Sequence, residues 1–198
     1  REQDLLLLEA LLAAEQNRLD VISVPADFFA DAPVVKHYTH EMYYRLLAYR
    51  LLPDTLDRVL YLDPDIVVLN SVKSLYETPL DGCFFAAAEH TAPALREVNR
   101  LRLKNPDAKG YFNTGVLLMN LALLRKEADT QNIAAYIREN HDRLLLPDQD
   151  VLNALFGQQV LKLDTFVYNY DARKYIAYRL RYDAGLTVDW IEANTVFL

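Results

Sequence analysis

The sequence predicts one α/β domain with a layered sheet, and three observations support this prediction. Short apolar runs of strand length alternate with helical patterns, which is typical of helices packed on a sheet. The length of 198 residues suits one domain with a sizeable core. No internal repeat, low-complexity tract or linker divides the chain, so we assign residues 1–198 to one domain.

The individual elements are predicted from the periodicity of apolar residues and from the residues that end helices. Strands are expected at 20–24, 58–62, 83–88, 112–120 and 159–163. Helices are expected at 4–18, 41–52, 71–76, 95–103, 130–144 and 148–157. Residues 25–38 contain two prolines and two aspartates and are expected to form a loop. The aromatic-rich remainder is expected to mix short helices and strands.

The composition excludes several classes of protein and of site. A net charge of −7 argues against the basic surface of a nucleic-acid binder. An anionic substrate would therefore have to meet local positive charge or a bound cation. Cys83 is the only cysteine, which excludes an intrachain disulfide or a cysteine zinc cluster and fits a reducing cytoplasm. No apolar run reaches the roughly 18 residues of a membrane span.

The motif Asp63-Pro64-Asp65 directly follows the apolar strand predicted at 58–62. Residues two apart in an extended segment share a face, and Pro64 biases Asp63 toward extended backbone. Open α/β sheets bind ligands at the carboxyl ends of their strands. Both carboxylates could thus reach one hard cation that bridges to phosphate oxygens. The alternative is an ordinary strand-end turn, where aspartate is common.

A polar interruption, Asn113-Thr114-Gly115, lies within the apolar run at 112–120. It exposes side-chain and backbone hydrogen-bonding groups, and Gly115 allows a ligand or another backbone to approach closely. The alternative is a β-bulge, which requires no ligand.

Three further candidates have structural alternatives. Asp148 opens a predicted helix and would serve as its N-cap, while Asp150 in the first turn suits the helix dipole. Arg45 lies among apolar residues of a predicted helix, where it could simply extend its charge into solvent. Glu89 ends a predicted strand, where a surface role is equally open.

Four segments, in this order, closely resemble bacterial members of glycosyltransferase family 8, which includes lipopolysaccharide α-galactosyl- and α-glucosyltransferases. Order and spacing match across nearly the whole chain, and the four motifs together are far more specific than any one of them. The segments are Met42-Tyr43-Tyr44-Arg45-Leu46-Leu47, the strand into Asp63-Pro64-Asp65, the strand from Phe112 to Asn120, and Leu146-Pro147-Asp148-Gln149-Asp150-Val151-Leu152-Asn153.

The resemblance implies a GT-A fold, a Rossmann-like α/β sheet with flanking helices, and a retaining hexosyltransferase. The donor would be a nucleotide sugar, UDP-glucose or UDP-galactose, and the acceptor a glycan, lipopolysaccharide or other saccharide. Asp63 and Asp65 would bind a divalent metal, Mn²⁺ or Mg²⁺. Gln149, under the anomeric carbon, and Asp148 would be the catalytic residues. The implied donor-binding set is Arg45, Asp63, Asp65, Glu89, Asn113, Thr114, Asp148 and Gln149.

The resemblance also sets expectations for location and for segments outside the chain. We expect a cytoplasmic protein that has no nucleic-acid partner and that reaches the inner face of the membrane through segments not present here. Family members open with a strand and loop that grip the nucleotide base, and we expect this first strand to be absent. They also carry a metal-binding histidine after a strand resembling Val196-Phe197-Leu198, so we expect a C-terminal tail to be absent as well.

Two rival functions remain open from the sequence. Haloacid-dehalogenase-type phosphatases also place Asp-x-Asp after a strand, with the first aspartate as the nucleophile. Such chains place the motif near their first strand and need a later acidic motif, for which this sequence offers no good candidate. The second rival is a protein that binds sugar nucleotides without turnover.

Overall fold

A computed structural model describes residues 2–24, 40–89, 98–99, 101–105 and 109–198. The chain divides into two compact units, Arg1–Ala30 and Asp31–Leu198. The expected loop at 25–38 and most of the expected helix at 95–103 lie outside the described residues, although 98–99 and 101–102 are helical. The assignment of residues 1–198 to a single domain stays a prediction.

The first unit contains one helix, α1 (Glu2–Ala14), in its described part. The helix ends four residues earlier than expected because Gln16 adopts a left-handed conformation with φ 57°. The strand predicted at 20–24 is wrong, since these residues have no regular structure. A strand needs a partner for its backbone hydrogen bonds, and the described residues of this unit pair with none.

The second unit is built on a four-stranded sheet in the order β1-β3-β2-β4. Its strands are β1 (Arg58–Leu62), β2 (Phe85–Ala88), β3 (Val116–Asn120) and β4 (Val160–Leu163). β3 runs antiparallel to β1 and β2, whereas β2 and β4 are parallel. The strand predicted at 58–62 is confirmed, and those at 83–88 and 159–163 are confirmed with slightly shorter bounds.

The strand predicted at 112–120 begins four residues later than expected. The Asn113 side chain accepts a hydrogen bond from the backbone N–H of Gly115 at 2.8 Å, which forms a local turn. Phe112 still makes an isolated bridge to Glu89 before this turn. The interruption therefore falls just ahead of β3 rather than within it.

The sheet register brings four chain segments to one edge. Leu62 at the end of β1 pairs with Val116 at the start of β3, and Ala88 at the end of β2 pairs with Leu163 at the end of β4. The carboxyl ends of β1, β2 and β4 and the amino end of β3 consequently meet. The backbone N–H of Asp63 donates to the carbonyl of Gly115 at 2.8 Å, which extends the pairing into this edge.

Helices flank the sheet in the second unit. A 3₁₀ helix at His40–Leu47 runs into α2 (Ala48–Leu51), and further 3₁₀ turns lie at His141–Arg143, Gly157–Gln159 and Ala172–Lys174. The remaining helices are α3 (Lys73–Tyr76), α4 (Leu121–Glu127), α5 (Thr130–Asn140), α6 (Pro147–Phe156), α7 (Thr165–Tyr168), α8 (Tyr175–Arg181) and α9 (Val188–Asn194).

The predicted helices at 41–52, 71–76, 130–144 and 148–157 are confirmed with shifted bounds. α5 begins at Thr130, but its cap is Asp129, whose side chain accepts from the backbone N–H of Gln131. The Thr130 hydroxyl instead lies 2.9 Å from the hydroxyl of Tyr49.

The core lies against the sheet and fixes its position. β2 is fully buried, and the first four residues of β3 are buried too. One apolar cluster joins strand residues such as Leu118 to Phe197, which is fully buried near the C-terminal end of the chain. Each fully buried side chain of this size contributes roughly 1.5–3 kcal/mol. This apolar support holds the polar edge of the sheet in place.

Candidate active site

A cleft of about 440 Å³ opens at the sheet edge where the strand ends meet. Of the residues predicted as a site, Asp63, Asp65, Glu89 and Asn113 line it together. Gly115 and Thr165 also contribute to its wall. The structure therefore gathers polar groups from β1, β2, β4 and the segment before β3.

Asp63 is held by two side chains that engage one of its oxygens. The Tyr61 hydroxyl donates to Oδ1 at 2.7 Å, and the Arg45 guanidinium approaches the same oxygen at 2.9 Å. No hydrogen bond or ion pair from the described residues engages Oδ2. A Cβ atom at Gly115 would lie 2.9 Å from that oxygen, so only glycine leaves this side of the carboxylate open.

Asp65 lies on the same cleft wall and is exposed. Within the described residues its carboxylate makes no hydrogen bond and no close ion pair. Carboxylate oxygens are the ligands that hard divalent cations prefer. Asp63 Oδ2 and Asp65 are thus the two groups here that could hold such a cation. No group of three or more His, Cys, Asp or Glu side chains able to hold a metal ion is found in the described part of the chain.

Arg45 lies behind this wall and does not line the cleft. Its guanidinium contacts Asp63, approaches Asp148 Oδ2 at 3.3 Å, and donates to the carbonyl of Thr114 at 3.1 Å. It also stacks over the Tyr61 ring at 4.7 Å from the centroid. The side chain is only 13% exposed, so the alternative of a solvent-directed charge is wrong. Arg45 connects the two acidic motifs, and its contact with a donor stays a prediction.

Asp148 is buried and does not line the cleft. Its Oδ2 accepts from the Thr114 hydroxyl at 2.9 Å and faces Arg45. Burial raises the pKa of Asp148, while Arg45 and the Thr114 hydrogen bond oppose that rise. The N-cap alternative is wrong, because the cap residue of α6 is Leu146 and no side chain caps it from that position.

Gln149 lies next to Asn113, which lines the cleft. Asn113 Nδ2 donates to Gln149 Oε1 at 3.3 Å. The Gln149 side chain is buried, and its Nε2 has no hydrogen-bond partner among the described residues. An unpaired buried amide is costly, and Nε2 has no solvent access, so its contact with a substrate atom stays a prediction. Gln149, Asp148, Thr114 and Arg45 form a layer directly behind the cleft lining.

Asp150 fixes the start of α6, although the sequence indicated only a favourable interaction with the helix dipole. Its carboxylate forms a bidentate pair with Arg102 and accepts from the Tyr111 hydroxyl at 2.6 Å. It also accepts from the backbone N–H groups of Leu145 and Leu146, at 2.7 and 3.1 Å. The side chain has no solvent exposure.

Asn153 joins α6 to the segment before β3. Its amide accepts from the Phe112 N–H at 2.6 Å and donates to the Phe112 carbonyl at 2.8 Å. The same Nδ2 donates to the carbonyl of Gln149 at 2.8 Å. These bonds set the distance between α6 and the Asn113 turn, and therefore the position of Gln149 behind the cleft.

Glu89 is 7% exposed, so the alternative of a surface role is wrong. Its Oε2 pairs with Lys162 on β4, whose amine remains largely in solvent. A Cβ atom at Gly110 would lie 3.0 Å from Oε1 and would crowd it. Glu89 is therefore a fixed carboxylate on the cleft wall, and its predicted contact with a donor sugar stays a prediction.

Sequence reasoning missed the wall formed by Asp171, Arg173 and Lys174, all of which line the cleft. Asp171 accepts from Arg173 Nε at 2.8 Å and from Nη2 at 3.1 Å, and Lys174 lies 3.0 Å away. The Arg173 hydrogen bonds, aided by Lys174, hold the pKa of Asp171 well below its usual range. The Asp-x-Arg-Lys spacing was visible in the sequence, but nothing local indicated that it faces Asp65.

Comparisons with known proteins agree with this arrangement. The profile of Glycosyl transferase family 8 matches residues 10–182. Lipopolysaccharide 1,2-glucosyltransferase of Escherichia coli (strain K12) is 33% identical over 153 residues, covering 76% of this chain and 45% of that protein. Lipopolysaccharide 1,3-galactosyltransferase of Salmonella typhimurium is 25% identical, covering 96% of this chain and 56% of that protein. The chain spans about half the length of these relatives.

A solved structure of the galactosyltransferase LgtC, in complex with donor and acceptor sugar analogs, superposes with a TM-score of 0.71. It is 27% identical and covers 88% of this chain and 62% of that chain. The open sheet with flanking helices is accordingly the GT-A fold that the family resemblance implied. No helix in the described residues is long and apolar enough to cross a membrane. From the family match, the fold and the gathered motifs together, the chain belongs to glycosyltransferase family 8.

Proposed function

We propose that the protein transfers glucose or galactose from a UDP-sugar to a saccharide acceptor, retains the anomeric configuration, and requires Mn²⁺ or Mg²⁺. The observation that carries the proposal is the pair of carboxylates, Asp63 and Asp65, with unengaged oxygens in one cleft of a family 8 chain. Relatives named as lipopolysaccharide glucosyl- and galactosyltransferases support the choice of sugar and of a lipopolysaccharide or similar acceptor. A cytoplasmic location at the inner membrane face fits such an acceptor.

The residues around the carboxylates fit a divalent cation. Gly115 leaves Asp63 Oδ2 open, while Tyr61 and Arg45 hold the opposite oxygen and thereby orient the group. A cation bound there would supply positive charge to a departing diphosphate. The chain itself fixes the geometry before any ligand binds, because the contacts of Asp63 are formed within the sheet edge. Such preorganisation is what makes electrostatic stabilisation effective in catalysis.

The roles of Gln149 and Asp148 follow from their surroundings. The Gln149 side chain is a neutral amide that contacts the cleft residue Asn113, and a neutral amide is a poor nucleophile compared with a carboxylate. Asp148 contacts Arg45 and Thr114 and thereby positions the start of the helix that carries Gln149. Asp150 is occupied by five hydrogen-bond donors of the described residues and has no exposure, so it does not serve as a nucleophile. Retention needs no covalent intermediate if the acceptor hydroxyl attacks the anomeric carbon on the face from which the diphosphate leaves. The bond to the diphosphate then breaks as the new glycosidic bond forms, and the hydroxyl proton passes to the departing diphosphate.

A screen of nucleotide sugars tests this proposal. The protein with Mn²⁺ is offered UDP-glucose, UDP-galactose and other sugar nucleotides, and released UDP is measured with and without a saccharide acceptor. We expect turnover with a UDP-hexose and an α-linked product by the anomeric coupling in NMR. Binding of UDP-sugar without release of UDP would establish the alternative of a binding protein without turnover. A phospho-aspartate at Asp63 with a phosphate mimic would instead support the phosphatase alternative, which the family match leaves without support.

A further inference from the structure

The cleft that contains the metal-binding candidates is also lined by a positively charged segment. We define the cationic wall as Asp171, Arg173 and Lys174, all of which line the cleft that also contains Asp63 and Asp65. One carboxylate is shared by two cations, so the cationic wall carries an excess of one positive charge. In a chain with a net charge of −7, a local positive excess beside a substrate cleft calls for a functional reason.

Backbone hydrogen bonds hold the turn that carries the cationic wall, while the side chains of Arg173 and Lys174 reach solvent. Asp171 is only 17% exposed and accepts a hydrogen bond from the Arg173 backbone N–H at 3.1 Å, which sets the turn. The preceding residue, Tyr170, donates its backbone N–H to the Phe197 carbonyl at 3.0 Å and so connects the turn to the core. The Arg173 side chain is 90% exposed and that of Lys174 is 41% exposed, which leaves N–H donors of both directed to solvent or to a ligand.

The two charged walls of the cleft influence each other. Asp171 is the main cause of the raised pKa of Arg173, and the charge of Asp65 adds a smaller effect. Asp65 makes no ion pair with a described residue. A divalent cation bound by Asp63 and Asp65 would neutralise that attraction. The cleft would then contain both a cation and excess guanidinium and ammonium charge. An anion bound in the cleft would be attracted by both.

We propose that the cationic wall is a phosphate-binding subsite of the cleft. Arginine provides a planar fork of N–H donors that matches phosphate oxygens, and lysine adds a mobile point charge. The inference rests on the proposed function for the source of the phosphate, which is the diphosphate of the nucleotide sugar or a phosphate group on the glycan acceptor. The chemistry recognised is the same for both sources, and kinetics separate them.

The direct test is titration of inorganic pyrophosphate, with Mg²⁺ present, by isothermal calorimetry. The test variant is Arg173→Gln with Lys174→Gln, and the matched control is Lys126→Gln with Arg181→Gln, which removes the same charge outside the cleft. Loss of two phosphate contacts should weaken binding by about 10-fold or more. The control should bind like the wild type. Wild-type affinity in the test variant, or no binding by the wild type, would overturn the subsite.

Asp171→Asn provides a test in the opposite direction. An asparagine Oδ1 can still accept from the Arg173 N–H and keep the turn, while the charge that competes for Arg173 and Lys174 is removed. Pyrophosphate should therefore bind more tightly by about threefold or more, as expected when a neighbouring like charge is removed from an anion. A merely structural ion pair would give no gain in affinity, and that result would contradict the proposal.

The two phosphate sources are distinguished by activity. If the donor diphosphate is the ligand, Arg173→Gln with Lys174→Gln raises the KM for UDP-sugar hydrolysis measured without acceptor. If the ligand is an acceptor phosphate, that KM is unchanged and transfer loses its preference for a phosphorylated over a dephosphorylated glycan. A variant with neither change would refute the subsite. A wild type without any hydrolysis or transfer would refute the proposed function alone, because the pyrophosphate titration reads the subsite independently.

Discussion

Removal of the charge of Asp150, which pairs with Arg102 in a buried position, should strongly destabilise this chain. Asp150→Asn keeps the shape of the side chain and removes its charge. Five donors converge on this carboxylate, and an amide would turn an NH₂ group toward some of them. Removing one partner of a buried pair costs about 3–5 kcal/mol. Because Arg102 keeps 15% exposure, we expect the lower end of that range, about 3 kcal/mol.

The assay is equilibrium unfolding in guanidinium chloride, with the midpoint and the slope fitted separately. The matched control is Asp54→Asn, since Asp54 is 97% exposed and pairs with Arg125 at 3.4 Å on the surface. Exposed pairs contribute about 0–1 kcal/mol, so the control should shift the midpoint little. A loss of less than about 1 kcal/mol in Asp150→Asn, equal to the control, would refute the assignment of Asp150 as the anchor of α6.

Three further outcomes follow from the site. Gln149→Ala should slow sugar transfer by about 10- to 100-fold, the value of one transition-state hydrogen bond, and loss beyond measurement would indicate a covalent role instead. Burial raises the pKa of Asp148 above its ordinary 3.8, so the wild type loses stability relative to Asp148→Asn as pH rises through that raised pKa. The melting temperature of Asp148→Asn should rise relative to that of the wild type as the pH is raised from 3. A difference in melting temperature that does not change with pH would contradict this. Gly115→Ala should raise the Mn²⁺ concentration needed for half-maximal activity, because the added Cβ would lie 2.9 Å from Asp63 Oδ2; unchanged metal dependence would refute the close approach.

Local patterns in the sequence were sufficient to locate the four strands of the sheet. The strand at 58–62 was predicted correctly, because its apolar run and the motif that ends it are adjacent residues, while the metal-binding role of that motif stays a prediction. The strand predicted at 20–24 failed because apolar residues alone do not supply a pairing partner. Asn113 was predicted to interrupt an apolar strand. The hydrogen bond from the Gly115 N–H to the Asn113 side chain, which delays the start of β3, depends on backbone geometry that the sequence pattern does not show.

The contacts between distant segments account for what the sequence could not predict. Arg45 and Asp148 are 3.3 Å apart although about a hundred residues separate them, and no local signal indicated the pair. Asp148 was taken for a possible N-cap because it opens a helix, yet its tertiary partners determine its orientation. The cationic wall containing Arg173 was missed for the same reason. Its sequence reads as a solvated turn, and only the fold brings it to the same cleft as Asp65.

The metal dependence of Asp65→Asn tests the central claim most directly. Asp65 makes no hydrogen bond or ion pair with any described residue, so its charge can be removed without disturbing the fold. UDP release from a UDP-hexose is measured across a Mn²⁺ titration for the wild type, Asp65→Asn and the surface control Asp54→Asn. We predict that Asp65→Asn unfolds like the wild type but loses turnover by about 100-fold or more, as expected when charge is removed from a catalytic cation site. Wild-type turnover and an unchanged Mn²⁺ requirement in Asp65→Asn would contradict the account.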